Sequence, residues 1–100
     1  MGYDYIAVKV NYNNYSLTAT TTLQFLEIPR ASEYIRIKNF GDSDLKVVIK
    51  TSGDRDANFS SSNKVITVVA LQEFSDKLQV EGIYYKTDSG TANFEVYVSY

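Results

Sequence analysis

The side chains that could do acid–base chemistry in this chain are carboxylates, because its 100 residues include no His and no Cys. Two pairs of carboxylates are candidates, Glu73 with Asp76 and Glu81 with Glu95. General acid–base catalysis needs groups whose positions and pKa values suit proton transfer, and most sites use His for part of that work. The polar neighbours of these carboxylates are typical of a solvated surface. The sequence therefore favours a protein that is not an enzyme and that uses no cofactor.

The acidic turns are the candidate metal ligands. Segment 54–58 alternates Asp and Asn as the start of a calcium loop does, but Phe59 and Val65 stand where that loop needs Gly and a closing Glu. Asp42 and Asp44 flank a Ser in a second turn. Because Asp and Asn are common turn residues, we interpret both segments as turns and expect no metal site.

Cations and aromatic rings are the candidates for binding a partner. Strands are predicted over 33–39 and 45–51, and we expect them to pair as a hairpin. The outward positions of this hairpin would then share one sheet face, and they are Tyr34, Arg36, Lys38, Phe40, Lys46 and Lys50. Tyr97 of the last strand is a further candidate for an exposed ring. Such a face could dock on an acidic protein surface or bind a nucleic-acid strand. It could also be the ordinary solvated side of a sheet, where Lys discourages aggregation.

Seven segments that alternate apolar and polar residues are the elements that would position these side chains. The predicted strands are 3–12, 15–23, 33–39, 45–51, 64–71, 78–86 and 91–100. Between them we predict turns at 13–14, 40–44 and 88–90, the last a tight hairpin, a long polar loop at 52–63 and one helical turn at 72–77. We expect strand 64–71 to be buried on both of its faces, because its residues are almost all apolar. We expect a bulge at Gly82, which would reverse the facing of the residues after it.

Further facing predictions follow from the same alternation. Phe25 and Ile28, beside the only Pro of the chain, are expected to plug the core where the chain crosses between sheets. Tyr5, Tyr34, Phe40, Tyr85 and Tyr97 are candidates for outward positions.

Length and composition limit the possible fold classes and the cellular locations of the protein. One hundred residues with 44% hydrophobic content are expected to form a single domain, residues 1–100, with one core. Short strands at regular spacing predict an antiparallel β-sandwich of seven to eight strands, Ig-like or jelly-roll-like. The net charge of −2 gives no overall attraction to nucleic acid or to an anionic membrane. No signal peptide or transmembrane run is visible, so we expect a soluble protein made in the cytoplasm.

The central block resembles small β-sandwich proteins on the virions of tailed phages. The residues that carry the resemblance are Ile28-Pro29, then 34–41 with its Asn-x-Gly ending, and Leu45-Lys46-Val47. The later part, 65–71 followed by a hairpin that ends at Tyr100, looks like the same layout. The resemblance implies a decoration, cement or head-fibre subunit that docks on other virion proteins and forms oligomers, a trimer among them. It implies no catalytic residue.

Three functions stay open on the residues alone. The leading hypothesis is a structural module that docks on capsid proteins through its rings and cations. A carbohydrate-binding module is the alternative, and it would require exposed rings that stack on sugars. A single-stranded nucleic-acid binder using Arg36, Lys38, Lys46 and Lys50 is the least favoured of the three.

Overall fold

Eight β-strands make up the part of the chain that the computed structural model describes, residues 11–52 and 64–100. The strands are β1 (Tyr12–Ala19), β2 (Gln24–Glu27), β3 (Tyr34–Asn39), β4 (Leu45–Thr51), β5 (Val65–Val68), β6 (Glu73–Asp76), β7 (Val80–Thr87) and β8 (Ala92–Ser99). Within these ranges, no helix is long and apolar enough to cross a membrane. The prediction of an all-β fold is confirmed.

The strands form two four-stranded sheets, in the orders β1-β8-β3-β6 and β2-β7-β4-β5. All pairings are antiparallel. Consecutive described strands lie in different sheets at every step except from β4 to β5. This alternation between two sheets is the arrangement of an eight-stranded jelly roll. Of the two sandwich topologies that the sequence allowed, the jelly roll is therefore the observed one.

The core lies between the two sheets and is built from alternate residues of the long strands. Ile35 and Ile37 of β3 are fully buried, as are Val96 and Val98 of β8, which confirms their predicted facing. Across the interior, the Tyr85 and Phe94 rings meet edge to face with their centroids 5.0 Å apart. Each side chain buried in this way contributes about 1.5–3 kcal/mol to stability, so the core holds the sheets together.

A bulge in β7 sets which of its residues enter that core. Lys50 pairs with Gly82 and Thr51 pairs with Val80, which leaves Glu81 as the extra residue. The extra residue reverses the facing beyond it, because side chains alternate along a strand. Tyr85 is buried in consequence, and burial raises the pKa of its phenol. The bulge predicted at Gly82 is confirmed, whereas the outward position considered for Tyr85 is wrong.

The two predicted hairpins are wrong. β3 pairs with β8 and β6, whereas β4 pairs with β7 and β5, so the chain changes sheets between β3 and β4. It changes sheets again between β7 and β8, through the turn at 88–90. Gly90 in that turn has the predicted positive φ, at +71°. In both places the turn residues predict that the chain reverses its direction. They do not determine whether the next strand joins the same sheet or the other one.

Four local predictions also differ from the structure. Residues 13–14 lie inside β1 because both pair with β8, and a strand replaces the helical turn at 72–77 because 73–76 pair with β3. β5 is an edge strand with Thr67 exposed, so it is not covered on both sides. Phe25 is 44% exposed and does not plug the core, whereas Ile28 is buried as predicted. Predicted strand 3–12 and loop 52–63 lie almost wholly outside the described residues.

A buried Asn fixes the end of β3, where the candidate site begins. The Asn39 amide donates to the carbonyls of Ser43 and Val68 at 2.9 and 3.0 Å, and its oxygen accepts from the Gly41 amide at 2.8 Å. Buried polar groups are costly unless they are paired, and here each polar atom of the side chain has a partner. The turn that follows β3 is therefore held firmly against the end of β5.

Candidate functional site

Five of the seven candidate residues lie on one surface, the outer side of the β1-β8-β3-β6 sheet. We call this surface the tyrosine face and define it by the residues Tyr12, Tyr34, Arg36, Lys38, Phe40, Glu73, Glu95 and Tyr97. It forms because β3 and β8 are neighbours, with Arg36 opposite Tyr97 and Lys38 opposite Glu95. Since side chains alternate, these pairs point away from the core.

Three tyrosine rings form the centre of the tyrosine face. The Tyr97 ring stacks on Tyr12, with centroids 5.6 Å apart and planes at 24°. Tyr34 meets the other side of the cluster edge-on, at 6.1 Å from Tyr97. Aromatic pairs in such geometries gain about 0.5–1.5 kcal/mol beyond the area that they bury. The rings support one another, yet Tyr12 remains 50% exposed.

The two cations of the tyrosine face lie over rings. The Arg36 guanidinium carbon is 5.3 Å from the Tyr97 centroid, and the Lys38 ammonium is 5.1 Å from the Phe40 centroid. Both are cation–π distances. Neither cation forms an ion pair with any residue in 11–52 or 64–100, although Glu95 and Glu73 flank Lys38 on the adjacent strands. The face therefore presents exposed charge of both signs around an aromatic centre.

A shallow cavity of about 360 Å³ lies at one end of the same surface, beside Phe40. Thr18, Asn93 and Glu95 line it, and the Thr18 hydroxyl donates to the Asn93 amide oxygen at 2.8 Å. The Phe40 ring is 46% exposed at the cavity rim. The combination of an exposed ring and hydrogen-bonded polar side chains suits contact with another polar surface.

Lys46 and Lys50 do not belong to this surface. They lie on β4, on the outer side of the other sheet, which we call the opposite face and define by the residues Phe25, Glu27, Lys46, Lys50, Glu81, Gly82, Tyr84 and Lys86. The predicted four-cation face is wrong because β3 and β4 do not pair. A nucleic-acid strand crossing a single sheet face would meet two of these four cations.

The lysines of the opposite face lie near carboxylates. The Lys50 ammonium is 2.9 Å from Glu81, and those of Lys46 and Lys86 are each 4.0 Å from Asp88. Hydrogen bonds from Lys50 and Ser52, with the charge of Lys50, hold the pKa of Glu81 below its usual value. Lys50 is thus paired closely with Glu81, whereas Lys46 and Lys86 share the single carboxylate of Asp88.

The opposite face also carries a ring pair that the sequence did not reveal. Phe25 and Tyr84 lie on adjacent strands with centroids 4.6 Å apart. The Phe25 ring lies on Gly82, where an added Cβ would come within 2.1 Å of the ring. The alternation that predicts Lys46 and Lys50 outward also puts Val48 on the outer side of β4. Val48 has Tyr84 and Val65 as cross-strand neighbours and is fully buried. The signal available in the sequence was the Gly itself, because a strand Gly often admits a close neighbour.

The carboxylate pairs considered for catalysis are not brought together. Glu81 and Glu95 are on strands of different sheets, and Glu73 and Asp76 are three positions apart on β6, which places them on opposite sides of it. Asp44 accepts a hydrogen bond from the Ala70 amide at 3.0 Å, a turn-stabilising contact. Among the described residues, no group of three or more acidic side chains could hold a metal ion. Segment 54–58 lies outside them.

Tyr12 is the member of the tyrosine face that the sequence pattern misplaces. The alternation over predicted strand 3–12 puts it on the apolar side, together with Ile6, Val8 and Val10. In the structure it begins β1 on the side of Asn14 and Ser16, opposite Ser99 of β8. Ala19 is buried, and Tyr12 lies seven positions before it, so a continuous strand over 12–19 would place Tyr12 on the outer side. The sequence pattern does not show this because we predict a turn at 13–14 between the two residues. Tyr5, the other candidate ring, lies outside the described residues.

Comparison with known proteins identifies the fold and no family. No family model and no curated protein matches the sequence. Among solved structures, the chain is similar to the cupin domain of an XRE family transcriptional regulator from Enterobacter cloacae, at 15% identity and TM-score 0.58 over 90% of this chain and 82% of that one. It is also similar to PirA, at 12% identity and TM-score 0.57 over 96% and 100%.

A third similar structure is RmlC from Streptococcus suis in complex with dTDP-D-xylose, at 9% identity and TM-score 0.51 over 90% of this chain and 44% of that one. At such identities the likeness shows a shared fold and does not transfer a function. None of these three proteins is described as a virion component. The two hairpins in the layout of the phage proteins are also not formed, since β3 with β4 and β7 with β8 lie in different sheets.

Proposed function

We propose that the protein is a non-catalytic structural subunit that associates with a second copy of itself through the tyrosine face. The observation that carries the proposal is the position of Arg36 and Lys38: both are exposed, both lie over rings, and neither is neutralised by an ion pair with a described residue. Aromatic residues and Arg are enriched at protein interfaces, where they supply most of the binding energy.

The distribution of charge makes the tyrosine face complementary to itself. A two-fold axis that runs along the strands between β3 and β8 would place the β3 strand of one copy over the β8 strand of the other. Lys38 would then lie over Glu95 of the partner subunit, and Arg36 over Tyr97 of the partner subunit, because those residues share rows of the sheet. A two-fold contact makes each pair twice.

The size of the face suits a weak contact between two copies. β1 and β8 each contribute eight residues to the sheet, β3 contributes six and β6 contributes four. With about 3.4 Å per residue and about 4.8 Å between strands, the four strands cover roughly 420 Å². Two such faces in contact would cover about 850 Å², which is in the range of weak or transient interfaces.

The test is a pair of charge reversals whose effects cancel only between molecules. Lys38→Glu and Glu95→Lys each place like charges across the contact, so each variant alone is expected to dimerise at least about tenfold more weakly than the wild type. An equimolar mixture of the two restores both contacts in the heterodimer. Sedimentation equilibrium of each protein and of the mixture measures this. Lys77→Glu, an exposed reversal outside the face, is the matched control.

Two results would contradict the proposal. A wild-type chain that stays monomeric at about 0.5 mM, where even a weak specific dimer is populated, excludes self-association. A mixture no tighter than its components shows that the reversals act within each chain. A trimer, the form implied by the phage resemblance, would exclude the two-fold contact.

For the larger assembly, we propose a virion, on the sequence resemblance of block 28–47 to phage decoration proteins, although β3 and β4 within this block do not form the hairpin of that layout. The jelly-roll fold is compatible with such a subunit but is shared with proteins of other functions. This part requires the gene for the chain to lie in a phage genome, and mass spectrometry of the purified particles of that phage then tests it. Absence of the chain from the particles would exclude the virion and leave the self-association proposal standing.

The non-catalytic part of the proposal is supported by the separation of the candidate carboxylates. Glu81 is bound by Lys50 on the opposite face, while Glu95 lies on the tyrosine face. A catalytic pair must act on the same bond, and carboxylates on the two opposite outer faces of the sandwich cannot do so.

A further inference from the structure

A groove of about 450 Å³ opens on the opposite face, at the end of the molecule away from the turn between β3 and β4. Its walls come from β2 and the segment after it, from β4 and from β7. The residues that matter to its chemistry are Phe25, Glu27, Pro29, Lys50, Glu81 and Tyr84. The volume falls within the range of about 300–1,000 Å³ typical of small-molecule sites.

One side of the groove is a fixed aromatic platform. The Phe25 ring lies on the backbone of Gly82 and is held from the side by Tyr84, at 4.6 Å between centroids. The segment after β2 is tied to β7, because the Ile28 amide donates to the Glu81 carbonyl at 2.9 Å. The ring is therefore positioned by the chain around it, while 44% of the residue remains exposed.

The other side of the groove is polar and also fixed. The Lys50 ammonium and the Glu81 carboxylate are 2.9 Å apart, with about a third of each side chain exposed at 33% and 39%. Glu27 lies beside them, opposite Gly82 on the neighbouring strand. With one cation and two carboxylates, the described residues of the lining have a formal charge of −1, which disfavours a phosphate or another anion.

We propose that this groove binds a neutral saccharide. A pyranose ring has an apolar C–H face that can stack on Phe25, since the π face of the ring is negative and attracts polarised C–H groups. Its edge carries hydroxyl groups that can donate to Glu27 and Glu81 and accept from Lys50. A purely apolar ligand would remove water from this ion pair without replacing the hydrogen bonds, which is costly.

The saccharide site is independent of the proposed self-association. It lies on the sheet opposite the tyrosine face, so a dimer formed through that face leaves the groove open. Either proposal can therefore fail while the other stands.

The experiment is an NMR titration of the full chain with a panel of neutral sugars at up to about 50 mM, a range that detects millimolar binding. The panel is methyl β-glucoside, methyl α-mannoside, methyl β-galactoside, N-acetylglucosamine, cellobiose and maltose. We expect at least one sugar to give saturable shifts in the amides of 25–29 and 81–84, with saturation transfer to its C–H face. Glucose 6-phosphate is expected to bind more weakly than the neutral sugars of the panel that bind.

Phe25→Ala is expected to weaken binding at least about tenfold, because removing a stacked ring removes the main apolar contact. Phe40→Ala is the matched control, since this ring is equally exposed at 46% but lies on the other sheet. Glu81→Gln keeps the shape of the side chain and is expected to weaken binding several-fold, which covers the case in which Phe25→Ala does not fold.

Three outcomes would overturn the proposal. The first is that no sugar of the panel shifts any amide at the highest concentration. The second is that the shifts persist unchanged in folded Phe25→Ala and in Glu81→Gln, or lie outside the groove. The third is that glucose 6-phosphate binds as well as or better than the neutral sugars, which would identify an anion site.

Discussion

The two outer faces of this jelly roll carry similar residue types and arrange them differently. On the tyrosine face, Arg36 and Lys38 lie over the rings of Tyr97 and Phe40. On the opposite face, the ammonium groups of Lys46, Lys50 and Lys86 lie within 4.0 Å of carboxylates. The faces therefore differ in how their positive charge is balanced.

This difference separates two uses of a charged sheet surface. An ion pair within the chain neutralises its own charge and, when exposed, contributes about 0–1 kcal/mol to stability. A cation over a ring keeps its full charge and can still pair with a carboxylate from outside. This difference is the reason that we propose self-association for the tyrosine face and a small uncharged ligand for the opposite face.

The largest expected effect is on the free energy of unfolding, when Gly41 near the tyrosine face or Gly82 on the opposite face is replaced by Ala. A Cβ at Gly41 would lie 2.6 Å from the Ala92 Cα, which is backbone and cannot rotate away. A Cβ at Gly82 would lie 2.1 Å from the far end of the Phe25 side chain, which would have to be displaced, and 3.0 Å from the Leu26 carbonyl oxygen. Overpacking costs about 1–3 kcal/mol, so we expect Gly41→Ala to destabilise by about 3 kcal/mol and Gly82→Ala by about 1. Urea denaturation of both variants measures the difference.

Removing the Phe25 ring provides the control for the second glycine. In a Phe25→Ala background the added Cβ has no ring to displace, so Gly82→Ala should cost less there than in the wild type, a coupling of about 0.5–1 kcal/mol. Equal costs in both backgrounds would show that the ring does not lie against Gly82. If Gly41→Ala and Gly82→Ala lowered the free energy of unfolding equally, the predicted difference between a backbone contact and a side-chain contact would be wrong.

The next prediction compares the central ring of each face. Tyr97 contacts two tyrosines and Arg36, so Tyr97→Ala should weaken the proposed dimer by about 2 kcal/mol, or about thirtyfold, as for an interface hot spot. Tyr84→Ala removes a ring of the same size from the opposite face and should leave the dimer unchanged within about twofold. Sedimentation velocity over a concentration series, with thermal melts as a folding check, gives both values. A comparable loss in both variants would mean that the contact does not use the tyrosine face.

Strand positions and side-chain facing were largely predictable from the sequence because burial imposes a period of two. β4 has the predicted bounds, and β8 differs from its prediction by one residue at each end. In β8 the buried and less buried residues alternate as predicted, since each inward residue is needed by the same core. The bulge at Gly82 was also predictable, because a Gly within a strand whose apolar pattern reverses beyond it is typical of a bulge.

Strand pairing was not predictable, and this decided the composition of the candidate site. The turns at 40–44 and 88–90 contain the residues of hairpin turns, but in both places the next strand enters the other sheet. Local turn chemistry reverses the chain and does not select a distant partner strand. Tyr34, Arg36, Lys38, Phe40 and Tyr97 stayed together because β3 and β8 pair, whereas Lys46 and Lys50 moved to the other face with β4.

Short strands were also beyond the reach of the sequence pattern. β6 has four residues with one half-buried ring, Phe74, which is too short a segment for alternation to distinguish a strand from a turn of helix. Its pairing with β3 supplies Glu73 beside Lys38 and so completes the charge pattern of the tyrosine face.

Salt offers a smaller and more general test of the contrast. Raising ionic strength from about 0.1 M to about 1 M shortens the screening length from about 10 Å to about 3 Å. The proposed dimer, with Lys38 over Glu95 of the partner subunit in two symmetric copies, should weaken about fivefold over this range, mainly through slower association. Saccharide binding to the opposite face should change little because the ligand is uncharged. A dimer that strengthens with salt would indicate a purely apolar contact.

The smallest expected effect concerns the ion pair of Lys50 and Glu81. The pKa of Glu81 is lowered in the folded chain by hydrogen bonds from Lys50 and Ser52, so the unfolded state takes up its proton at higher pH than the folded state. The stabilisation from Glu81 is therefore complete above its unfolded pKa of about 4.3 and declines as pH falls through the lower folded value. Glu81→Gln cannot titrate at this position. Its stability should decline less steeply than that of the wild type below about pH 4.3, as measured by urea denaturation at several pH values.

The size of this pH effect measures how strongly the ion pair of Lys50 and Glu81 on the opposite face stabilises the fold. Because both side chains are partly exposed, solvent screens the pair and the difference between the two curves should be small. Lys38→Gln on the tyrosine face is the comparison, since it removes a cation that has no ion pair with a described carboxylate. At micromolar concentration, where the proposed weak dimer is dissociated, its acid profile should follow that of the wild type. If Lys38→Gln changed the profile as much as Glu81→Gln, the cations of both faces would be balanced in the same way, and the reason for assigning the docking role to one face would be lost.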